Sequence, residues 1–383
     1  MESICVSAPG KLILHGEHAV VYGKVALAAS LNLRSFLKLT FTSDDSIEVF
    51  LPDIDIHASW KIKELQSLFS SPHFNGDVQS PQEANSDCLQ LIRHFLSLSE
   101  DTHDTKPLAL VAFVYLLGHI TQKLSGMKVE LRSSLPTGAG LGSSAAFSTC
   151  LAAGLLVASG SIKDSRLGWE EKELDLINKW AFQGEKVIHG RPSGIDNSVS
   201  TFGGALCFQG GKITPLEKVP KLDMMLVNTK VPRSTKILVA GLRERYEKYP
   251  DIYRPVIDSV EAISVKCEET LSHLNDVPND PAMIQTLRDL IGLNHHHLNF
   301  LGVGHKSLDE VCSICTEHGL SAKLTGAGGG GCAFCLITKD DSPRAIASVT
   351  ESLQKCGYEC WRTTVGGHGV KCHDPNEVIS QLN

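Results

Sequence analysis

The chain has 383 residues, of which 42% are hydrophobic and 21% charged, with a formal net charge of -7. That is enough chain for a sizeable core in one large or two ordinary domains, and the acidic balance, with no basic block, argues against nucleic acid or an anionic membrane as principal partner. No secretory signal is expected after Met1 and Glu2, and the longest apolar run, LALVAFVYLLGHI from Leu108, is interrupted by His119 and too short to span a bilayer.

From the amino terminus, ESICVSAPGKLILHGEHAVVYGKVALAASLN reads as strand, turn and strand, broken at Pro9-Gly10 and at Gly16. SFLKLTF and SIEVFLP continue an antiparallel theme. Residues 52–106 are polar, with scattered prolines and one helix, DCLQLIRHFLSL. A buried helix follows from Leu108, then a strand, KVELRSS, and the stretch LPTGAGLGSSAAF. SSAAFSTCLAAGLLVASG is a small-residue helix, EEKELDLINKWAFQGEKVIHG has helical periodicity, and RPSGIDNSVSTFGG is a loop entering a short helix. The proline-dotted connector KITPLEKVPKLD places a domain boundary near Lys221, dividing 1–220 from 221–383. Beyond it come the strand MMLVNTKV, three or more helices to His318, the strand–glycine loop–strand AKLTGAGGGGCAFCLIT, a helix near Glu351 and the strand ECWRTTV. The expected fold class is α+β, twice over.

The 12 cysteines point to reduced thiols in the cytosol. Cys312 and Cys315, then Cys332 and Cys335, form two CxxC pairs at a separation that resembles a zinc ribbon. Their context points elsewhere. Leu308, Val311, Cys312 and Cys315 make the apolar stripe of a helix ending at Gly319, and CAFCLIT is a strand-like run. Zinc knuckles set each pair on a tight turn, so these thiols are expected to pack as small hydrophobes.

LPTGAGLGSSAAF leaves a strand, turns on Gly138, Gly140 and Gly142, and enters a helix at Ser143 or Ser144. The first N–H groups of a helix have no intrahelical partner and sit at the positive end of its dipole. Glycines let a ligand approach them without meeting a Cβ atom, which makes an anion site, most naturally for a di- or triphosphate. The alternative is an ordinary helix start with a serine N-cap. No lysine follows the glycines, which excludes GxxxxGK[ST]. Asp164 lies in a loop with no strand before it, which leaves a dinucleotide fold a weak rival.

Phosphoryl transfer needs a metal site, a group that handles the nucleophile's proton, and a cation near the transferred phosphate. Glu185 shares a helical stripe with Ile177 and Ala181, where a carboxylate must be paired, neutralised or metal-bound; a rim glutamate paired with lysine is the alternative. Asp196, in RPSGIDN, is a candidate base or an N-cap aspartate. Lys11 is a charge between apolar neighbours, a candidate for the cation or an exposed strand lysine.

Together these pieces resemble the GHMP kinases, which phosphorylate small metabolites from ATP. APGKLILHGEH looks like the first family motif, LPTGAGLGSSAA the second and KLTGAGGGGCAF the third. HGEHAVVYG, KWAFQGEKVIHGRPSGIDNSVSTFGG and NTKVPRSTK are similar to the branch acting on mevalonate. The resemblance implies an N-terminal domain carrying the first two motifs, a ferredoxin-like C-terminal domain carrying the third, a cleft between them, and a homodimer. It implies that Gly138, Ala139, Gly140, Leu141, Gly142, Ser143 and Ser144 cradle the phosphates, with Ser133 touching the nucleotide and Ser144 and Glu185 holding magnesium. Asp196 would accept or orient the proton of the terminal hydroxyl, and Lys11 would hold that hydroxyl in register beside the phosphoryl group. Glu17 and His18 resemble substrate contacts, and Thr235 a residue bracing Lys11. The run Gly326 to Gly331, with Gly328 and Gly329, would close over substrate and phosphates by close backbone approach. No nucleotide contact is carried over to Asp53. The family further suggests inhibition by farnesyl or geranylgeranyl diphosphate in competition with ATP. KLILHGEHA also fits a loose amino-terminal peroxisomal signal, while SQLN at the other end is no peroxisomal address; the cytosol is the expected compartment.

Overall fold

The computed structural model describes residues 2–99, 105–136, 138–217 and 219–375. Thr137 of the glycine motif and the closing SQLN lie outside them.

Strand β1 (Ser3–His15) runs antiparallel to β2 (Ala26–Phe41). Pro9-Gly10 does not break β1, as the sequence had suggested. The pairing shifts register between Pro9 and Gly10 and the strand continues, since a bulge tolerates a residue with no ladder N–H. SFLKLTF is the far half of β2 rather than a separate strand. β3 (Ser46–Leu51) forms an antiparallel hairpin with β4 (Ile56–Lys61) but pairs in parallel with β5 (Met127–Ser133), a departure from the antiparallel theme. The 52–106 stretch holds β4 and two helices, α1 (Ile62–Phe69) and α2 (Ser86–Phe95), where one helix was expected.

Against this sheet pack α3 (Thr105–Ile120), α4 (Ser143–Ala158) and α5 (Glu171–His189). The small residues of α4 have a steric reason: a Cβ at Gly154 would stand 2.5 Å from Leu37 Cδ2, so the helix lies on β2 only because that atom is missing. α6 (Ile195–Phe202), β6 (Ala205–Gln209) and β7 (Lys212–Pro215) complete this half.

The second half runs β8 (Leu222–Asn228), α7 (Thr235–Lys248), α8 (Pro250–Asp276), α9 (Pro281–Phe300), α10 (Lys306–Glu317), β9 (Ser321–Leu324), β10 (Cys332–Ile337), α11 (Pro343–Lys355) and β11 (Glu359–Val365). Its strands lie in the antiparallel order β11-β8-β10-β9, the ferredoxin-like arrangement. The α+β reading therefore holds. Val365 opposite Leu31 joins the two halves into one 12-stranded sheet, and β12 (Lys371–His373) returns to pair with β1.

One core cluster lies between the first sheet and α3–α5, around Phe113, Tyr115 and Trp180. A second lies between the other sheet and its helices, around Ile257, Leu298 and Val311. Cys315, Cys332 and Cys335 are buried, and Cys312 on α10 donates to the Ala322 carbonyl at 3.3 Å. No helix among the described residues is long and apolar enough to cross a membrane.

Candidate active site

Between β5 and α4 the glycine loop folds its small side chains inward. Ala139 and Leu141 are buried, and the Leu141 carbonyl accepts the backbone N–H of Lys11 at 2.8 Å. α4 starts at Ser143 with Gly142 as its cap at φ 72° and no side-chain hydrogen bond to the cap, so neither serine is spent as an N-cap. A left-handed cap favours glycine, and a Cβ at Gly142 would sit 3.4 Å from Lys11 Cβ. Around Gly138 the space is open. The loop, Ser133, Ser143 and Ser144 line a cavity of about 390 Å³ whose other end is apolar, with Leu51, Ile54, Ala109 and Leu131. Asp53 lines that cavity too, its carboxylate accepting the Ser133 N–H at 2.6 Å. Free helix N–H groups at one end and an apolar slot at the other suit a nucleotide with its phosphates at α4.

Across from the loop, α6 starts after Gly194, which puts Asp196 inside its first turn rather than at the cap. Lys11 Nζ lies 3.1 Å from Asp196 Oδ1, with the lysine buried and the aspartate partly exposed. Glu185, on α5, is 3% exposed and its Oε1 has no hydrogen-bond partner among the described residues. Burial first, and then the nearby Asp196, push its carboxyl up to about 8, against the opposing hydrogen bond from Ser144 and the charge of Lys11. Ser144 Oγ also lies 2.9 Å from His189 Nε2. A smaller cavity of about 250 Å³, lined by Glu185, His189, Ser193, Asp196 and Asn197, adjoins the first at Asp196 and His189.

An orphaned carboxylate oxygen beside a serine hydroxyl is a pair of hard oxygen donors. This fits a divalent metal that takes its remaining ligands from phosphate and water. Among the described residues no three or more His, Cys, Asp or Glu converge as an all-protein metal cage.

Other candidates stand elsewhere. Glu17 is buried against Lys323 Nζ and Asn294 Nδ2, the latter at 3.0 Å; it ties the turn after β1 to β9 and α9 and lines neither cavity. His18 adopts φ 62° and shares a 2.8 Å hydrogen bond with the Ala327 carbonyl, joining the first motif to the third. Thr235 is exposed at the start of α7 and, among the described residues, makes no hydrogen bond to Lys11. The third glycine loop has a packing reason of its own. A Cβ at Gly328 would stand 2.0 Å from the Val303 carbonyl oxygen, at Gly329 2.9 Å from Leu238 and at Gly330 2.6 Å from Val231. These glycines are needed by the protein's own packing, whatever they also do for a ligand.

Two residues escaped the sequence reading. His189 sits one helical turn after Glu185, a spacing that was available as a signal. Arg233 joins the second and third glycine loops through space, and nothing in its local sequence marks that.

With this geometry in hand, comparison with known proteins is direct. The family model "GHMP kinases N terminal domain" matches residues 108–204 and "GHMP kinases C terminal" matches 281–355. The mevalonate kinase of Bos taurus is 49% identical, covering 97% of this chain and 95% of that protein; that of Homo sapiens is 46% identical over 100% and 98%. The crystal structure of L. major mevalonate kinase in complex with R-mevalonate superposes with a TM-score of 0.68 at 23% identity, covering 95% of this chain and 96% of that one. The family models and the full-length relatives make this a small-molecule kinase. The chain belongs to the GHMP kinase family, in its mevalonate kinase branch.

Proposed function

We propose that the chain transfers the γ-phosphoryl group of ATP to the terminal 5-hydroxyl of mevalonate, yielding 5-phosphomevalonate and ADP. The observation that carries the reading is the Lys11–Asp196 pair placed against Gly142, beside the N-terminus of α4. There an attacking hydroxyl and a terminal phosphate meet.

The free N–H groups of α4 and the glycine loop hold the polyphosphate. Asp196 orients the acceptor hydroxyl and takes its proton as the oxygen bonds to phosphorus and the bond to the ADP oxygen breaks. Lys11 keeps the carboxylate in register and offsets charge on the phosphoryl group in flight. Ser144 and Glu185 would hold magnesium, which when bound neutralises charge on the β- and γ-phosphate oxygens.

The same reading includes a homodimer in the cytosol, two domains meeting near Lys221, and inhibition by prenyl diphosphates, whose diphosphate group would compete for the same N–H cradle. A coupled ADP-release assay across mevalonate, phosphomevalonate, galactose and homoserine tests it. Mevalonate is expected to be turned over with the highest kcat/KM, and preference for any other acceptor refutes the assignment.

A further inference from the structure

Arg233 follows β8 on a segment fixed to the third glycine loop. Thr229 N–H donates to the Gly331 carbonyl at 2.9 Å, and Gly331 N–H donates to the Val231 carbonyl at 3.0 Å. From this base the guanidinium reaches across to the other half of the molecule. Its Nη2 donates to the Ala139 carbonyl of the phosphate loop at 2.6 Å, while Nη1 faces the Thr325 and Gly330 carbonyls at 3.3 and 3.5 Å. A Cβ at Gly140 would stand 2.0 Å from Nη2, and one at Gly331 2.6 Å from Nη1. Glycines of both motifs thus make room for a side chain of the protein.

Every acceptor of this guanidinium is a neutral carbonyl, and among the described residues it forms no ion pair. Lys11, by contrast, has its charge already matched by Asp196. The planar fork of arginine can serve two loops at once, which a lysine ammonium on one point of contact cannot do as well.

We infer that Arg233 is the positioning residue that sets the phosphate loop against the third glycine loop and supplies the unneutralised positive charge behind the nucleotide's phosphates. The inference rests on the kinase reading and adds a residue to it. Polyphosphate binding in this acidic chain draws on that local charge, and the loop keeps its shape because the guanidinium holds Ala139 from behind.

The test uses the full chain, with ADP and magnesium titrated calorimetrically and KM measured separately for ATP and mevalonate. Arg233→Gln is expected to weaken ADP binding and raise the KM for ATP by about 10- to 100-fold, the range for a lost charge-assisted hydrogen bond. The KM for mevalonate should move by less than about threefold. Arg233→Lys, which keeps the charge but not the fork, should recover ADP affinity only in part. Lys236→Gln, an equal charge change on the exposed start of α7, should leave both KM values unchanged. Unchanged ADP affinity in Arg233→Gln overturns the inference, as does an equal rise in both KM values. Should Arg233→Gln not fold, Arg233→Lys decides: ADP affinity at least about threefold weaker supports the role, and wild-type affinity overturns it. Failure of the kinase reading would show differently, as wild-type protein that neither binds ADP nor consumes mevalonate.

Discussion

Lys11 and Asp196 face each other at 3.1 Å from two elements that are neighbours only in the folded chain, one from β1 and one from the first turn of α6. The pair sets a direct expectation. Asp196→Ala should lower kcat by roughly a thousandfold, the middle of the range for a positioned base, while ADP binding, measured calorimetrically, changes little. Turnover within tenfold of wild type would remove Asp196 from the proton's path.

Glu185 gives the site a proton to release. Without metal its carboxyl is held up to about 8 by burial and by Asp196, so at pH 7 it is mostly protonated, and a cation must displace that proton to bind. Metal affinity should therefore rise with pH below 8, by up to about tenfold per unit, and level off above it. Calorimetry of magnesium–ADP binding in buffers of different ionisation enthalpy counts the proton released. Glu185→Gln should abolish the release and weaken the metal.

His119 makes the first core sensitive to acid. Its ring lies 4.5 Å from Tyr115, 5.0 Å from Phe74 and 5.9 Å from Trp180, centre to centre, and its Nε2 has no partner among the described residues. Burial lowers its pKa from 6.5 to about 4. The unfolded chain thus takes up this proton at a higher pH than the folded one. The associated stability is complete above pH 6.5 and is lost as the pH falls toward 4, to a total of about 3 kcal/mol. Denaturant titrations at pH 7 and pH 5 should show a smaller difference for His119→Phe than for wild type.

The buried pair of Glu17 and Lys323 should behave asymmetrically. Burial raises the pKa of Glu17 and lowers that of Lys323, while each opposes that shift by favouring the other's charged form. Glu17→Gln leaves an ammonium without its counter-charge in the interior and should cost about 3–5 kcal/mol. Adding Lys323→Met should recover part of that loss in urea denaturation, because the second substitution removes the stranded charge. An additive pair of losses would mean the two do not act together.

Much of this was legible in one dimension. The start of α4, its small-residue face and the strand–loop–strand of β9 and β10 follow from glycine spacing and periodicity, signals that are local. β4 carried such a signal as well: Ile56, Ala58 and Trp60 alternate with polar neighbours, but six residues are too few to stand out in a polar stretch. Pro9-Gly10 misled because a proline usually ends a strand, and the bulge that accommodates it depends on β2 lying alongside. The packing role of the third glycine loop was hidden for a similar reason. What crowds Gly328 is Val303, a distant residue whose position is set by tertiary packing. Glu17 shared a motif with His18, yet its partner Lys323 lies 306 residues away.

The return of β12 to β1 has a bearing on how the molecule is made. Cys5, Val6 and Ser7 wait for His373, Cys372 and Lys371, with Ser7 and His373 separated by 366 positions. During synthesis this stretch of the β1 edge therefore stays bare until residues 371–373 have followed it out of the ribosome. An unpaired edge is a template for association with other chains, so nascent copies are exposed at β1 until β12 arrives, and a chaperone that shields β1 would act in that interval.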